Sequence, residues 1–396
     1  MSEEPFMNGR PRGGDCVLIV DDDRYVTEAL AMTLERNGRT TIVCSDLESA
    51  ELTLARFPVT HLVTDVQFSG AFGFEGLHFV GQVKKLHPQC SIILITGFAT
   101  DALRATALAH GATALLPKPF ETSELEAVFG TGPEPADGAE YQMIRVPPID
   151  ELLRNDLLFA AFQPIVRLAA GGVTTFAYEA LSRVRGRWPL GGPAELFAYA
   201  GRRSRLCELN VAAIECALRN AAGLPPSGAL FMNVDPQALN ARLVQAMKTA
   251  ATRASIPLSR LVVEITERSN FAADESIDDV LVSLRAEGVR FALDDHGSAY
   301  SHLGMIDRIR PSFIKVSHEF GTGFEHDETK LRIIRHVVGL ARDFGCQTVL
   351  EGVETPETAD AARELGIGLA QGFYFGRPDV ASHWIRTEGT RVIAAA

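Results

Sequence analysis

What most constrains this chain is an alternation. From Cys16 onward, short runs rich in β-branched residues take turns with stretches whose apolar residues recur at helical spacing. Strands separated by helices return parallel to one another, and the helices cover both faces of the sheet. The first series of runs is CVLIV, RTTIVC, HLVTD, SIILIT and TALLPK, with helical stretches beginning near Arg24, Glu48, Gly76, Asp101 and Ser123. The segment GTGPEPADGAE, from Gly130 to Glu140, breaks the rhythm. Rich in Gly, Pro and acid, it reads as a linker. Eight further runs follow: FAAFQPIV, VTTFAYEAL, ALFMNV, RLVVEIT, RFALDD, SFIKV, QTVLEGV and LAQGFYF. Eight strands within about 250 residues match a (β/α)8 barrel. The expected architecture is α/β throughout. Residues 1–13 form a flexible start, 14–129 a doubly wound domain, 130–147 a linker and 148–396 a TIM-type barrel.

Composition narrows the partners. A chain of 396 residues is too long for one ordinary core, and 46% hydrophobic with 22% charged residues is a globular balance. The formal charge of −12 argues against a nucleic acid polymer or an anionic membrane as partner. Up to Gly130 there are 10 basic against 17 acidic residues, and beyond it 28 against 33, so neither half is a basic arm. An anionic substrate would need metal ions or a few placed Arg and Lys. Six scattered cysteines without a CxxC pair suggest reduced thiols. The polar N-terminus lacks the apolar core of a signal peptide, and no apolar run nears the roughly 18 residues of a membrane span, so the expected location is cytoplasmic.

Asp21, Asp22 and Asp23 directly follow VLIV. Adjacent carboxylates at a strand end repel unless a cation or good donors sit among them, although Asp also favours helix N-caps. The other strand ends tip the balance: Asp65 closes HLVTD, Thr96 closes SIILIT, and Lys118 follows TALLP. In an open α/β sheet the carboxyl ends of the strands face one crevice. It would hold an acidic pair for Mg2+, a carboxylate nucleophile, a hydroxyl and an ammonium, the equipment for phosphorylating a carboxylate.

Over about residues 14–129 the chain resembles the receiver domains of bacterial response regulators, through VLIVDDD, HLVTD, ILIT and LPKPF in order and spacing. The resemblance implies a flavodoxin-like fold. It also implies one Mg2+ on Asp21 and Asp22, phosphate transfer to Asp65 from a cognate histidine kinase, and phosphoryl contacts from Thr96 and Lys118. Two departures stand out: the loop VQFSGAFGFEG lacks the usual Met-Pro pair, and Leu115 replaces a switching Tyr or Phe.

In the second series, polar groups close strand after strand: Glu179, Asn233, Glu264, the pair Asp294 and Asp295, Lys315, then Glu351 and Glu354, with Gln371 before the last. Any one alone would be a helix cap, a turn former or a surface group. Together they would ring the C-terminal mouth of a barrel. So many carboxylates require cations, and hard oxygen ligands suit Mg2+ or Mn2+. A metal pair roughly 4 Å apart can activate water and stabilise a leaving oxygen in phosphodiester hydrolysis. Asp294 is suited to bridge such a pair, Asp295 to hold the second ion, Glu351 to accept the proton of water and Lys315 to hold that water.

Over about residues 148–390 this series resembles the EAL family of cyclic di-GMP phosphodiesterases. Glu179-Ala180-Leu181-Ser182-Arg183 keeps the ExLxR form, and FQPI, NVDP, EITE, LDD, IK, EGVE and QGFYFGRP follow in the family's order. The resemblance implies two metal ions on Glu179, Asn233, Glu264, Asp294 and Asp295, with Glu351 as general base and Lys315 on the catalytic water. Gln163 and Arg183 would touch cyclic di-GMP, and Glu354 and Gln371 would support the site. Glu267 would anchor the loop after Asp295, and the product would be linear pGpG. A homo-oligomer through the EAL domain is expected. His296, Ala299 and Ser317 depart from the family's residues; His296 reads as a loop residue more readily than as a metal ligand. The alternative is a catalytically weak or inactive EAL domain acting as a cyclic di-GMP receptor or protein-interaction module.

Overall fold

The strands of the first series are buried along most of their length, with no exposed residue in Cys16–Val20 or Thr40–Cys44. That is why they read as continuous apolar runs: both faces of a parallel sheet are covered by helices. The computed structural model describes all residues except 1–5, 8–9, 12–14, 37, 69–74, 131–142, 155–156, 170, 186–191, 226–227, 267–275, 297–302 and 388–396. They fall into two compact units, Met1–Asn155 with Gly186–Arg203, and Asp156–Arg185 with Ser204–Ala396.

In the first unit, strands β1 (Cys16–Val20), β2 (Thr40–Cys44), β3 (His61–Asp65), β4 (Ser91–Thr96) and β5 (Ala114–Pro117) alternate with helices α1 (Arg24–Arg36), α2 (Leu47–Arg56), α3 (Glu75–Leu86), α4 (Asp101–Ala109) and α5 (Thr122–Phe129). A sixth strand, β6 (Met143–Arg145), follows the Gly/Pro-rich segment and precedes α6 (Ile149–Arg154). All pairings are parallel, in the order β5-β4-β3-β1-β2-β6. This is the doubly wound sheet expected, with β6 added beside β2.

Helix α7 (Pro193–Arg202) also belongs to this unit, although it comes after the first two barrel strands in the chain. It rests on α2. The Tyr199 hydroxyl donates to Asp46 Oδ2 at 2.8 Å in a buried bond, flanked by Arg202–Glu51 at 2.6 Å and Arg203–Glu48 at 3.0 Å. Asp46 has a second task as N-cap of α2, its Oδ1 accepting from Ser49 N at 2.8 Å.

The second unit is a closed barrel. Its strands are β7 (Leu158–Ala169), β8 (Gly172–Val184), β9 (Ala229–Asn233), β10 (Leu261–Thr266), β11 (Arg290–His296), β12 (Phe313–Val316), β13 (Gln347–Leu350) and β14 (Leu369–Gln371). One feature separates it from an all-parallel barrel: β7 runs antiparallel to both β8 and β14. No helix lies between β7 and β8, and strands joined by a tight turn must be antiparallel.

The interior explains where the site lies. A layer of apolar side chains fills the barrel: Ile165, Ala177, Phe231, Val262, Ala292, Phe313, Val349 and Leu369, one from each strand. Strand side chains alternate with a period of two. The next inward position toward the C-terminal mouth is therefore two residues on, or two residues back on the antiparallel β7. Those positions are Gln163, Glu179, Asn233, Glu264, Asp294, Lys315, Glu351 and Gln371. A polar ring sits directly on an apolar plug. No helix among the described residues is long and apolar enough to cross a membrane.

Candidate functional site

The first unit brings its predicted residues together at the C-terminal edge of the sheet. Lys118 Nζ donates to Asp21 Oδ2 at 2.6 Å and to Asp65 Oδ2 at 2.7 Å. Burial pushes the Asp21 carboxyl above its ordinary value, against the opposing pull of Lys118. Burial also works against the Lys118 charge, but its bonds to Asp21 and Asp65 outweigh that and hold it raised. Asp65 is half-buried, and its Oδ1 accepts from Gln67 N at 3.0 Å. Thr96 is buried, with its hydroxyl accepting from Phe98 N at 3.2 Å, while Asp22 is exposed beside Asp21. Leu115 is fully buried in the sheet core. Most of the loop that departs after Asp65 lies outside the described residues.

In the barrel, Lys315 is the hub. Its Nζ lies 2.7 Å from Glu351 Oε1, 2.9 Å from Glu264 Oε1, and 3.3 Å from both Glu179 Oε2 and Asp294 Oδ1. Glu179 is held from two more sides: Asn233 Nδ2 donates to its Oε1 at 2.9 Å, and Gln371 Nε2 to its Oε2 at 2.8 Å. Gln371 Nε2 also reaches Gln163 Oε1 at 3.1 Å, and Gln163 Nε2 donates to the Gly376 carbonyl at 3.1 Å. The amides thus orient Glu179 through a continuous hydrogen-bonded chain.

Four carboxylates face one ammonium, and the protonation pattern follows. Burial opposes charge on Lys315, but the surrounding carboxylates prevail and hold it well above its usual value. Burial raises Glu264 well above the carboxylate range, with Glu179 and Asp294 adding to it. Burial likewise lifts Glu351 to about 7, against the pull of Lys315. Glu179 goes the other way: burial alone would raise it, but Lys315, Gln371 and Asn233 bring it below its ordinary value.

The cavity above this ring has a volume of about 360 Å3. Glu179, Asp294, Lys315, Glu351, Gln163 and Gln371 line its floor and walls. Leu181, two residues beyond Glu179 on the same face of β8, lines it too, and Arg183 is two residues further along. Arg183 is half-buried, donates to the Ser182 carbonyl at 2.9 Å, and is lowered by burial from its ordinary value. Glu354 stands exposed at the rim. Sequence reasoning missed three rim residues, His318, Thr322 and Phe373, because a single helical turn and the loops beside it carry no periodicity. Ser317 is buried at the N-cap of a four-residue helix. Asp295 and His296 close β11 in the backbone, with side chains outside the described residues, as are Glu267 and residues 297–302 in full.

The donor set fits a hard divalent cation. Every carboxylate and amide oxygen in the ring is of the type that binds Mg2+ or Mn2+. Glu264 is fully buried, yet its Oε2 receives no hydrogen bond. A buried carboxylate oxygen without a donor is costly unless a cation serves it. Among the described residues no three acidic, His or Cys side chains form a ready coordination cluster, and the Lys315 ammonium lies within 3.3 Å of four of the carboxylates.

Comparisons with known proteins point the same way. The response regulator receiver domain family matches residues 17–129, and the EAL domain family matches residues 148–378. The cyclic di-GMP phosphodiesterase RocR of Pseudomonas aeruginosa is 28% identical over 82% of this chain and 85% of its own length. Protein y4lL of Sinorhizobium fredii is 32% identical over 56% of this chain, which spans only 27% of it. Among solved structures, the PaMucR phosphodiesterase in complex with c-di-GMP matches with a TM-score of 0.53 and 27% identity, over 59% of this chain and 97% of that one. Klebsiella pneumoniae BlrP1, in a calcium and cyclic di-GMP complex, matches with a TM-score of 0.51 and 27% identity over 74% of this chain and 75% of that one. The chain belongs to the EAL domain family and carries a response regulator receiver domain ahead of its EAL barrel.

Proposed function

We propose that the barrel hydrolyses cyclic di-GMP to linear pGpG and that the receiver regulates it through phosphorylation of Asp65. The observation that carries the reading is the ring of eight polar side chains, one from each strand, with four carboxylates gathered on Lys315. Glu179, Asn233, Glu264, Asp294 and Asp295 would hold two Mg2+ or Mn2+ ions. Such ions, when bound, lower the pKa of water and stabilise charge on the phosphodiester oxygens.

The remaining work falls to the chain's own residues. Glu351, lifted to about 7, can accept a proton from water near neutral pH and release it again. Lys315, 2.7 Å from that carboxylate, orients the same water and remains charged. Gln163, Gln371 and Glu354 shape the cavity around the dinucleotide, and Arg183 supplies positive charge for a phosphate. In the receiver, Asp21 and Asp22 would hold one Mg2+, and Thr96 and Lys118 would contact the phosphoryl group that Asp65 accepts from a histidine kinase.

The test is chromatography of products after incubating the full chain with cyclic di-GMP and Mg2+ or Mn2+, beside Glu351→Gln. Wild type is expected to yield pGpG, and Glu351→Gln to lose at least about a hundredfold in kcat. Tight binding of intact cyclic di-GMP without any product would overturn the enzymatic reading in favour of a receptor.

A further inference from the structure

A general base must be aimed as well as ionised. Glu351 and Lys315 come from neighbouring strands, and their 2.7 Å contact depends on what fixes one strand end against the other. β12 carries Lys315 and runs, after Ser317, into α8 (His318–Gly321). This single turn is closed by Gly321 N donating to the Ser317 carbonyl at 3.0 Å and Thr322 N to the His318 carbonyl at 2.9 Å. It packs onto the backbone of Glu351.

The contact is made at Gly321. A β-carbon there would lie 1.7 Å from the Glu351 carbonyl oxygen and 2.9 Å from its carbon. The segment cannot slide away to make room. Glu351 N is tied to the Val316 carbonyl at 3.0 Å, and Val353 N to the Gln371 carbonyl at 3.1 Å. At Gly372, directly after Gln371, a β-carbon would lie 1.9 Å from the Val353 carbonyl oxygen. Residues 351–353 are therefore gripped at both ends by positions that admit only glycine. Gly321 is buried and does not line the cavity.

We propose that Gly321 is a positioning residue for the hydrolysis: its close approach sets where the Glu351 carboxylate stands relative to Lys315, and so governs turnover rather than substrate affinity. This rests on the reading of Glu351 as the base. A methyl group at residue 321 must displace backbone, because the two atoms it meets closer than 3.0 Å both belong to the main chain. Misplacing a reacting group by about 1 Å costs on the order of a hundredfold in rate. Gln163, Glu179 and Gln371, across the cavity, are not among the groups that a methyl at residue 321 would meet.

Steady-state hydrolysis of cyclic di-GMP with Mn2+ tests this in the full chain. Gly321→Ala is expected to lower kcat by about tenfold to a hundredfold with KM within about twofold of wild type. Gly339→Ala, where nothing lies within 4 Å, is the matched control and is expected to behave as wild type. A second variant guards against misfolding of the first: Lys330→Met removes the 2.9 Å bond from Lys330 Nζ to the Thr322 carbonyl that tethers the end of α8. It is expected to lower kcat severalfold at unchanged KM. Wild-type kcat in Gly321→Ala overturns the proposal, as does wild-type kcat in Lys330→Met if Gly321→Ala does not fold. A rise in KM with kcat unchanged overturns it equally. Glu351→Gln in the same assay separates the two ideas. If it is inactive while Gly321→Ala is not impaired, only the positioning role fails; if it is active, the base assignment fails and the proposal with it.

Discussion

Lys315 shows how much one side chain can settle. Placed among Glu179, Glu264, Asp294 and Glu351, it lets four carboxylates share a space that would otherwise repel them apart. The compensation is incomplete, so Glu351 is raised to about 7 and Glu264 is raised as well. A carboxyl whose folded pKa lies above its unfolded value holds a proton that the unfolded chain has released. Its contribution to stability is therefore lost as pH rises from the unfolded value through the folded one. For Glu351 that window runs from 4.5 to about 7. Glu179, which is lowered, acts only below this window, and Lys315 titrates above it. Urea unfolding of the barrel in chelator is expected to show less stability at pH 8 than at pH 5, by about 3 kcal/mol from Glu351. Glu264, also raised, adds to the slope in the same sense, so Glu351→Gln is expected to reduce it rather than abolish it, and Mg2+ or Mn2+ to restore stability at pH 8. A slope unchanged by Glu351→Gln would refute the assignment of the raised group.

At the scale of elements, the alternation made the strands and helices legible, and period two made the ring legible in part. Glu179, Leu181 and Arg183 share a face of β8 because they are spaced by two, whatever surrounds them. That β7 runs antiparallel, so that Gln163 joins the ring from the opposite strand direction, follows from the hairpin with β8. Helix α7 was not legible as part of the receiver's unit. Its amphipathic pattern shows that one face is buried, but a pattern does not name the surface that buries it. The deciding contact is the buried bond from Tyr199 to Asp46. Tyr199→Phe leaves Asp46 Oδ2 without that donor and is expected to destabilise the receiver unit by about 1–3 kcal/mol in chemical denaturation. In the Asp46→Ala background the same substitution is expected to cost much less, because the shared bond is already gone. Equal costs in both backgrounds would rule the bond out as the source.

For the whole molecule, the chain passes between the two units three times: after Asn155, after Arg185 and after Arg203. The second passage leaves β8 just beyond Arg183, on the strand that carries Glu179, and leads to α7 in the receiver's unit. Receiver and barrel are thus joined through the strand that carries Glu179 as well as through the segment after α6. A phospho-donor is expected to change the turnover of the full chain and to leave Asp65→Asn at its basal rate; an equal response in both would exclude control through Asp65.

Gln163 entered only through the family resemblance; by itself the sequence determined the two α/β series and the other seven polar residues of the ring. These follow from local periodicity and from polar residues interrupting apolar runs, which any neighbourhood leaves readable. Only the tertiary structure decided which charges meet. Glu179 and Lys315 are far apart in the chain and 3.3 Å apart in space, and their protonation depends on that distance and on burial. Gly321 against Glu351, and α7 against α2, were decided in the same way, because contacts between distant residues leave no periodic trace along the chain.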